Sequence, residues 1–106
     1  MVERLVVVAA GFGAWRADRH LASARWADVL RVRTLAPTGG APELTLALTL
    51  RDGSEFLAPA SAPGFAAFVS AAEASLPGML PSAAWLAAAP TATADVVLFE
   101  RPARRA

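Results

Sequence analysis

The sequence predicts an α+β domain, in which an antiparallel sheet of about five to six strands is covered by one main helix. Leucines alternate with Glu, Thr, Ala and Arg over residues 43–51, which is the period-two pattern of a strand with one apolar face. Asp52-Gly53 follows, a pair typical of hairpin turns because glycine adopts positive φ at no steric cost. Further on, apolar side chains at spacings of three and four predict a helix with one apolar stripe, made of Phe65, Phe68, Val69, Ala72 and Leu76.

Length and composition indicate one small domain without disulfides. The 106 residues are expected to form a single domain over residues 1–99, followed by a disordered basic tail over residues 100–106. With no cysteine, one histidine and scattered carboxylates, neither a metal site nor a cofactor is expected. Lys, Ile, Asn, Gln and Tyr are absent, which indicates a GC-rich bacterial genome. A net charge of +1 gives no reason to expect nucleic acid as a partner.

Two long uncharged stretches, residues 56–72 and 74–94, contain prolines that would interrupt a membrane-spanning helix. An apolar run near the N-terminus, residues 5–15, is followed closely by Arg16 and Arg19, which favours a buried strand over a signal peptide. We therefore expect no transmembrane segment and a cytoplasmic localisation.

The N-terminal region predicts two strands. Residues Arg4–Ala10 are rich in valine, Gly11-Phe12-Gly13 predicts a turn or bulge, and Ala14–Arg19 is expected to return as a strand with Trp15 facing inward. The same glycines imitate the entrance of a dinucleotide-binding unit. Arg16, however, stands where that fingerprint needs a third small residue, so a structural turn is favoured.

Residues His20–Ala36 admit two interpretations. Their first half can be placed on one side of a helix, whereas Leu30–Thr34 alternates apolar and polar residues as a strand does. We favour a strand from about Val29 to Leu35, entered by a tight turn at Ala27-Asp28.

The connection inside the hairpin decides which side chains share a face. A two-residue loop would place the carboxylate of Glu55 on the leucine face, where burial without a partner is costly. A three-residue loop, Asp52-Gly53-Ser54, pairs Arg51 with Glu55 and Leu50 with Phe56 instead. We favour the three-residue loop, which puts Phe56 in the core.

The second half of the chain is expected to cover the hairpin. Ser61 can cap the main helix, with Pro63 in its first turn and Pro77-Gly78 ending it. A short second helix is expected over Pro81–Ala89, and Val96–Phe99 predicts a final strand.

Several of these segments together resemble small bacterial proteins related to pleckstrin-homology-like domains. The resemblance covers roughly residues 20–80 and depends on Trp26-Ala27-Asp28-Val29, Leu30–Leu35, Asp52-Gly53, Pro63-Gly64-Phe65 and Leu76-Pro77-Gly78. It implies a strongly curved sheet, closed as in these domains or forming a partial barrel, with the helix packed across it. It also implies a binding or scaffolding role rather than catalysis.

Two groups of residues are candidates for binding. Arg31 and Arg33 are expected to project from one strand face, where they can hold an anionic headgroup, a phosphate or an acidic peptide; a solvated strand face is the structural alternative. Trp15, Trp26 and Trp85 can anchor an interface or belong to the core.

The leading hypothesis is a non-enzymatic binding or scaffolding module for a protein partner, which can be a second copy of the chain. Recognition of an anionic headgroup or phosphate is the alternative hypothesis, from another class of function. A small enzyme using His20 as a base beside Asp18 is the third, and an exposed histidine in a charged turn explains the same residues.

Overall fold

Seven strands and two α-helices make up the part of the chain that the structure, a computed structural model, describes: residues 4–35, 44–86 and 95–101. The elements in chain order are β1 (Arg4–Val8), β2 (Gly11–Arg16), β3 (Arg19–Arg25), a 3₁₀ turn (Trp26–Asp28), β4 (Val29–Leu35), β5 (Thr45–Leu50), β6 (Glu55–Pro59), α1 (Phe65–Ser75), α2 (Ser82–Trp85) and β7 (Val96–Glu100).

The strands form two antiparallel sheets. One has the order β1-β2-β3 and the other the order β6-β5-β4-β7. The α+β class, the antiparallel pairing and the single main helix are confirmed, but the strands divide between two sheets and number more than expected. The division falls at the 3₁₀ turn, where the chain leaves β3 and enters β4 without the two strands pairing.

The predicted strand Val29–Leu35 and its entry turn at Ala27-Asp28 are confirmed. The predicted turn at residues 11–13 is wrong, because the chain already turns at residues 9–10 and β2 begins at Gly11. Glycine is needed there for a different reason: a Cβ on Gly11 would lie 2.3 Å from the carbonyl oxygen of Ala24 on the neighbouring strand. The predicted strand over residues 14–19 is split by a turn at residues 17–18, and β3 follows it.

The β5–β6 hairpin has the predicted loop length at a different position. Thr49 pairs with Glu55 and Leu48 with Phe56, so the loop is Arg51-Asp52-Gly53 and the expected pairs of Arg51 and Leu50 are wrong. The reason is Gly53, whose φ of 88° places it last in a three-residue loop, the position that requires a left-handed residue. The shift moves the register by two residues, so Phe56 stays on the buried face.

Helix α1 covers the core between the sheets, and its predicted apolar stripe is buried. Phe68 is fully buried at the centre, where its ring centroid lies 5.3 Å from that of Phe12, 5.5 Å from that of Trp26 and 6.0 Å from that of Phe56. These four rings come from both sheets, the 3₁₀ turn and the helix, so they join every layer of the fold.

The start of α1 is tied to the first strand. Gly64, not Ser61, is the N-cap; it has a φ of 92° and provides no side-chain cap. A Cβ on Gly64 would lie 2.2 Å from the carbonyl oxygen of Leu5, and the Leu5 N–H donates to the Pro63 carbonyl oxygen at 2.8 Å. The outer edge of β1 is therefore covered by the segment that leads into the helix.

The last elements close the four-stranded sheet. The Glu73 carboxylate accepts a hydrogen bond from the Ser82 N–H at the start of α2. Helix α2 spans Ser82–Trp85. The prediction extended this helix to Ala89, but residues 87–89 lie outside the described ranges. A bulge in the pairing of β4 with β7 turns both Leu98 and Phe99 into the core.

The final strand extends past its predicted end. Glu100 belongs to β7, and the Arg101 Nε donates to the Val29 carbonyl oxygen at 3.0 Å, so the expected tail does not begin at residue 100. Residues 102–106 lie outside the described ranges. No helix within those ranges has both the length and the apolar character to cross a membrane.

Candidate functional site

Arg31 and Arg33 lie on the outer face of the four-stranded sheet, as predicted, but their charges are already paired. The Arg31 Nε donates to the Glu100 carboxylate at 3.0 Å. The Arg33 guanidinium lies 2.6 Å from a Glu55 carboxylate oxygen and 3.5 Å from one of Asp95. These contacts link β4 to both β6 and the start of β7. The two arginines are thus matched by carboxylates of β6, of β7 and of the residue before β7, which weakens their attraction for an external anion.

Only one of the three tryptophans reaches the surface. Trp26 and Trp85 are 4% and 5% exposed, so both belong to the core. The Trp85 indole N–H donates to the Leu80 carbonyl oxygen at 3.1 Å, while that of Trp26 has no acceptor among the described residues. Trp15 is half-buried. It was expected to face inward but lies on the outer face of the three-stranded sheet, opposite the buried Ala14.

Trp15 is the centre of a row of three side chains across that outer face. Arg4 on β1 and His20 on β3 stand opposite it in the pairing register. The Arg4 guanidinium carbon lies 5.3 Å from the Trp15 ring centroid, and the His20 ring meets the indole edge to face at 5.1 Å. His20 therefore contacts a ring rather than the carboxylate of Asp18, which lies in the turn before β3. Within residues 4–35, 44–86 and 95–101, no three metal-ligating side chains gather at one point.

Asp28 lies in the 3₁₀ turn that connects the two sheets. Its carboxylate oxygens lie 3.5 Å from the Arg25 Nε and 3.5 Å from the Arg51 Nε. The Arg51 guanidinium also donates to the Ala27 carbonyl oxygen at 3.2 Å. Asp28, which was predicted in the turn that enters β4, therefore also holds the β5–β6 loop against the 3₁₀ turn.

Strand β3 is the most accessible element of the three-stranded sheet. Six of its seven residues are exposed, with Ala24 half-buried. One edge pairs with β2, and the other edge pairs with no strand in the described part of the chain. By contrast, the outer edges of β1 and β7 make hydrogen bonds. The Leu5 N–H of β1 donates to the Pro63 carbonyl oxygen, and the Leu98 carbonyl oxygen of β7 accepts a bond from the Leu80 N–H at 2.9 Å. A partly protected edge also occurs in β6, which ends in Pro59.

The hydrogen-bond pattern identifies the backbone groups on the open edge. The Trp26 N–H donates to the Ala10 carbonyl oxygen at 3.1 Å, in register with the pairing of Ala24 opposite Phe12. Since bonded and non-bonded pairs alternate along an antiparallel ladder, Ala24 directs its backbone groups toward β2 while Ser23 and Arg25 direct theirs outward.

The hairpin end beside this edge carries unmatched positive charge. Arg16 and Arg19 stand directly opposite each other, both are exposed, and no described carboxylate pairs with either. Residues 4–25 contain four arginines and one aspartate, whereas the described residues from 26 to 101 contain four arginines and six carboxylates. Sequence reasoning missed this asymmetry, because it needed the two-residue turn at Ala17-Asp18 to bring the flanking arginines together.

Comparison with known proteins gives no match for this chain: no protein-family model, no curated protein and no solved structure matches it.

Proposed function

We propose that this chain is a non-enzymatic binding module for a protein partner, and that the partner adds an extended strand to the free edge of β3. The observation that carries the proposal is that edge, a row of outward backbone groups with no strand beside it in the described chain. Such an edge offers main-chain hydrogen bonds to an incoming peptide, which is a recurring mode of peptide recognition.

The protection of the other edges supports this location. On the edge of β1 the Leu5 N–H donates to the Pro63 carbonyl oxygen, on that of β7 the Leu98 carbonyl oxygen accepts from the Leu80 N–H, and β6 ends in a proline. Natural sheets commonly shield an edge with a central charge, a bulge or a covering loop. Strand β3 has a bulge at Leu21, but Ala22-Ser23-Ala24 pairs regularly with β2 and has none of the charges that would repel a second strand.

We further propose that the scaffold is a variation on a pleckstrin-homology-like domain, in which antiparallel strands and one helix present loops and edges for binding. The corner at Trp26–Asp28, the antiparallel β4 and β5, and a helix across the core support this relationship. The relationship is one of architecture, so it favours binding without naming a ligand. A cytoplasmic protein partner is part of the same proposal.

The decisive variant is Ser23→Pro, with Ser23→Ala as its matched control. Proline removes one outward N–H from the open edge and leaves the bonds to β2 in place, while alanine keeps that N–H. The probe is a random peptide library displayed on phage and selected on the wild-type protein. We expect the selected peptides to bind wild type and Ser23→Ala alike and to lose binding to Ser23→Pro.

Circular dichroism and thermal unfolding of the three proteins test whether Ser23→Pro keeps the fold. Selected peptides that bind a folded Ser23→Pro protein as well as wild type would show that the β3 edge is not the site. Failure to select any peptide on the wild-type protein would also count against a strand-binding module.

A further inference from the structure

We infer that the segment received by β3 is acidic, with a carboxylate near each end and uncharged residues between them. The inference rests on the proposed function and adds the chemistry of the partner. It comes from three features of the three-stranded sheet: an unmatched arginine pair at one end of β3, an exposed arginine at the other end, and an uncharged stretch between them.

The first feature is the pair formed by Arg16 and Arg19. Like charges placed directly opposite on neighbouring strands repel each other, and here no described carboxylate offsets the repulsion. Elsewhere the fold avoids this arrangement, because Arg31, Arg33 and Arg51 each contact a carboxylate. A carboxylate supplied by a segment on the free edge of β3 would lie beside Arg19, on the side away from Arg16, and would offset the repulsion.

The second feature is Arg25, whose side chain is 72% exposed. Its contact with Asp28 is 3.5 Å long, and Asp28 is shared with Arg51, so Arg25 retains donors for a further acceptor. Arg19 and Arg25 stand six positions apart in β3, but a bulge at Leu21 places their partners on β2, Arg16 and Gly11, only five positions apart. A regular segment that matches both ends therefore carries its two acidic residues about five positions apart, which is about 17 Å along a strand.

The third feature is the uncharged stretch Leu21–Ala24. Its small side chains leave the edge accessible, and Leu21 is 40% exposed. The outer face beside it holds the row of Arg4, Trp15 and His20, which offers an apolar ring flanked by cationic or polar groups. Uncharged residues in the middle of the partner segment fit this part of the strand.

Charge excludes a second copy of this chain as the preferred occupant. Two β3 strands pairing antiparallel would bring Arg19 of one copy next to Arg25 of the other at both ends. Like charges across an interface disfavour a partner. An anionic lipid headgroup would satisfy the arginines but would make no use of the open backbone edge, so a peptide is the better match.

The test uses three synthetic peptides that share an alternating valine–threonine sequence and differ at two positions about five residues apart. These positions hold glutamate, glutamine or lysine. Kd is measured by titration calorimetry, and contact with β3 by chemical-shift changes of its amides. We expect the glutamate peptide to bind about tenfold more tightly than the glutamine peptide, the lysine peptide to bind most weakly, and the preference to shrink at high salt.

Charge variants locate the effect on the protein. The double variant Arg16→Gln with Arg19→Gln is expected to weaken binding of the glutamate peptide about fivefold and to leave the glutamine peptide unchanged. Arg31→Gln is the control, since it removes a positive charge from the other sheet, and it should change neither Kd. An effect of Arg31→Gln in place of the double variant would assign the anion to the four-stranded sheet and overturn the inference.

The outcomes separate this inference from the proposed function. Equal affinity for the glutamate and glutamine peptides, with both lost in Ser23→Pro, would refute an acidic partner and keep the strand-binding site. Binding that survives Ser23→Pro would refute the site itself, as would no binding by any peptide. Self-association abolished by Ser23→Pro would favour a second copy. Arginine-dependent binding to phosphatidylserine vesicles without peptide binding would favour a lipid headgroup.

Discussion

At the scale of single residues, Asp52 shows how one side chain stabilises a loop. Its carboxylate accepts a hydrogen bond from the Ser54 hydroxyl at 2.5 Å and one from the Ser54 backbone N–H at 2.9 Å. The hydroxyl bond first, and the backbone bond second, lower the pKa of Asp52. Because the pKa is lower in the folded state, this contribution to stability is present above the pKa of the unfolded chain and is lost as the pH falls through the folded value.

Ser54→Ala is expected to raise the pKa of Asp52 toward the ordinary range, since it removes the hydroxyl donor and keeps the backbone one. A pH titration of the Asp52 carboxyl carbon by NMR measures the change. Ser70→Ala is the control, because Ser70 lies on the exposed side of α1 and should leave that pKa unaltered. An unchanged titration of Asp52 in Ser54→Ala would mean that the hydroxyl bond does not form in solution.

At the scale of elements, the β2–β3 turn contains backbone strain that a glycine would relieve. Ala17 has a φ of 52°, a value that L-residues with a Cβ adopt rarely, and Asp18 does not share it. A positive φ at the first of two loop residues is the turn geometry that favours glycine.

Ala17→Gly is therefore expected to stabilise the protein, by up to about 1 kcal/mol after the larger unfolded-state entropy of glycine is included. Urea unfolding measures the difference. Ala22→Gly, in the exposed middle of β3, should instead lower stability by roughly 0.5–1 kcal/mol. If both glycines destabilise equally, the positive φ of Ala17 is not a feature of the folded protein.

Helix α1 gives the second prediction at this scale. Phe68→Ala removes the ring that contacts Phe12, Trp26 and Phe56, and a buried phenylalanine truncated to alanine costs about 3–5 kcal/mol. The free energy of unfolding in urea is the measurement, and Ala66→Ser on the exposed side of the helix is the control. A loss below about 1 kcal/mol would be incompatible with a central position for this ring.

At the scale of the whole molecule, Gly64 joins the three-stranded sheet to the helix. Gly64→Ala is expected to destabilise the protein by more than about 2 kcal/mol, because the new Cβ would meet the Leu5 backbone and the positive φ adds strain. Gly78 is the control for the contact with Leu5, because its φ is also positive, +86°, but nothing lies within 4 Å of a Cβ built there. Gly78→Ala should cost only about 1 kcal/mol, and equal losses for both variants would disprove the close approach to β1.

The sequence predicted those elements that bury one face. Val29–Leu35 and the Phe65–Leu76 stripe alternate or recur with a clear period because one side of each is in the core. Strand β3 has no such period, since nearly all of it is exposed, and it was therefore missed. The hairpin loop was displaced by one residue because period two fixes the faces but not the place of Gly53.

The candidate site was only partly accessible from sequence for a related reason. The outward direction of Arg31 and Arg33 follows from alternation, but their carboxylate partners Glu100 and Asp95 are distant along the chain. The arginine pair at the β2–β3 turn is local in sequence. Its importance appears only when Arg31, Arg33 and Arg51 are seen to be paired with carboxylates, which requires the tertiary fold.

The pairing of β4 with β7 has a consequence for biosynthesis. During translation β4 and β5 leave the ribosome long before β7, so the nascent four-stranded sheet lacks its final strand and the core lacks Leu98 and Phe99. Until β7 arrives, the unpaired side of β4 is a template for wrong partners, including other nascent chains. Slow translation over the segment before β7 would prolong this aggregation-prone interval, whereas a chaperone that shields β4 would shorten its exposure.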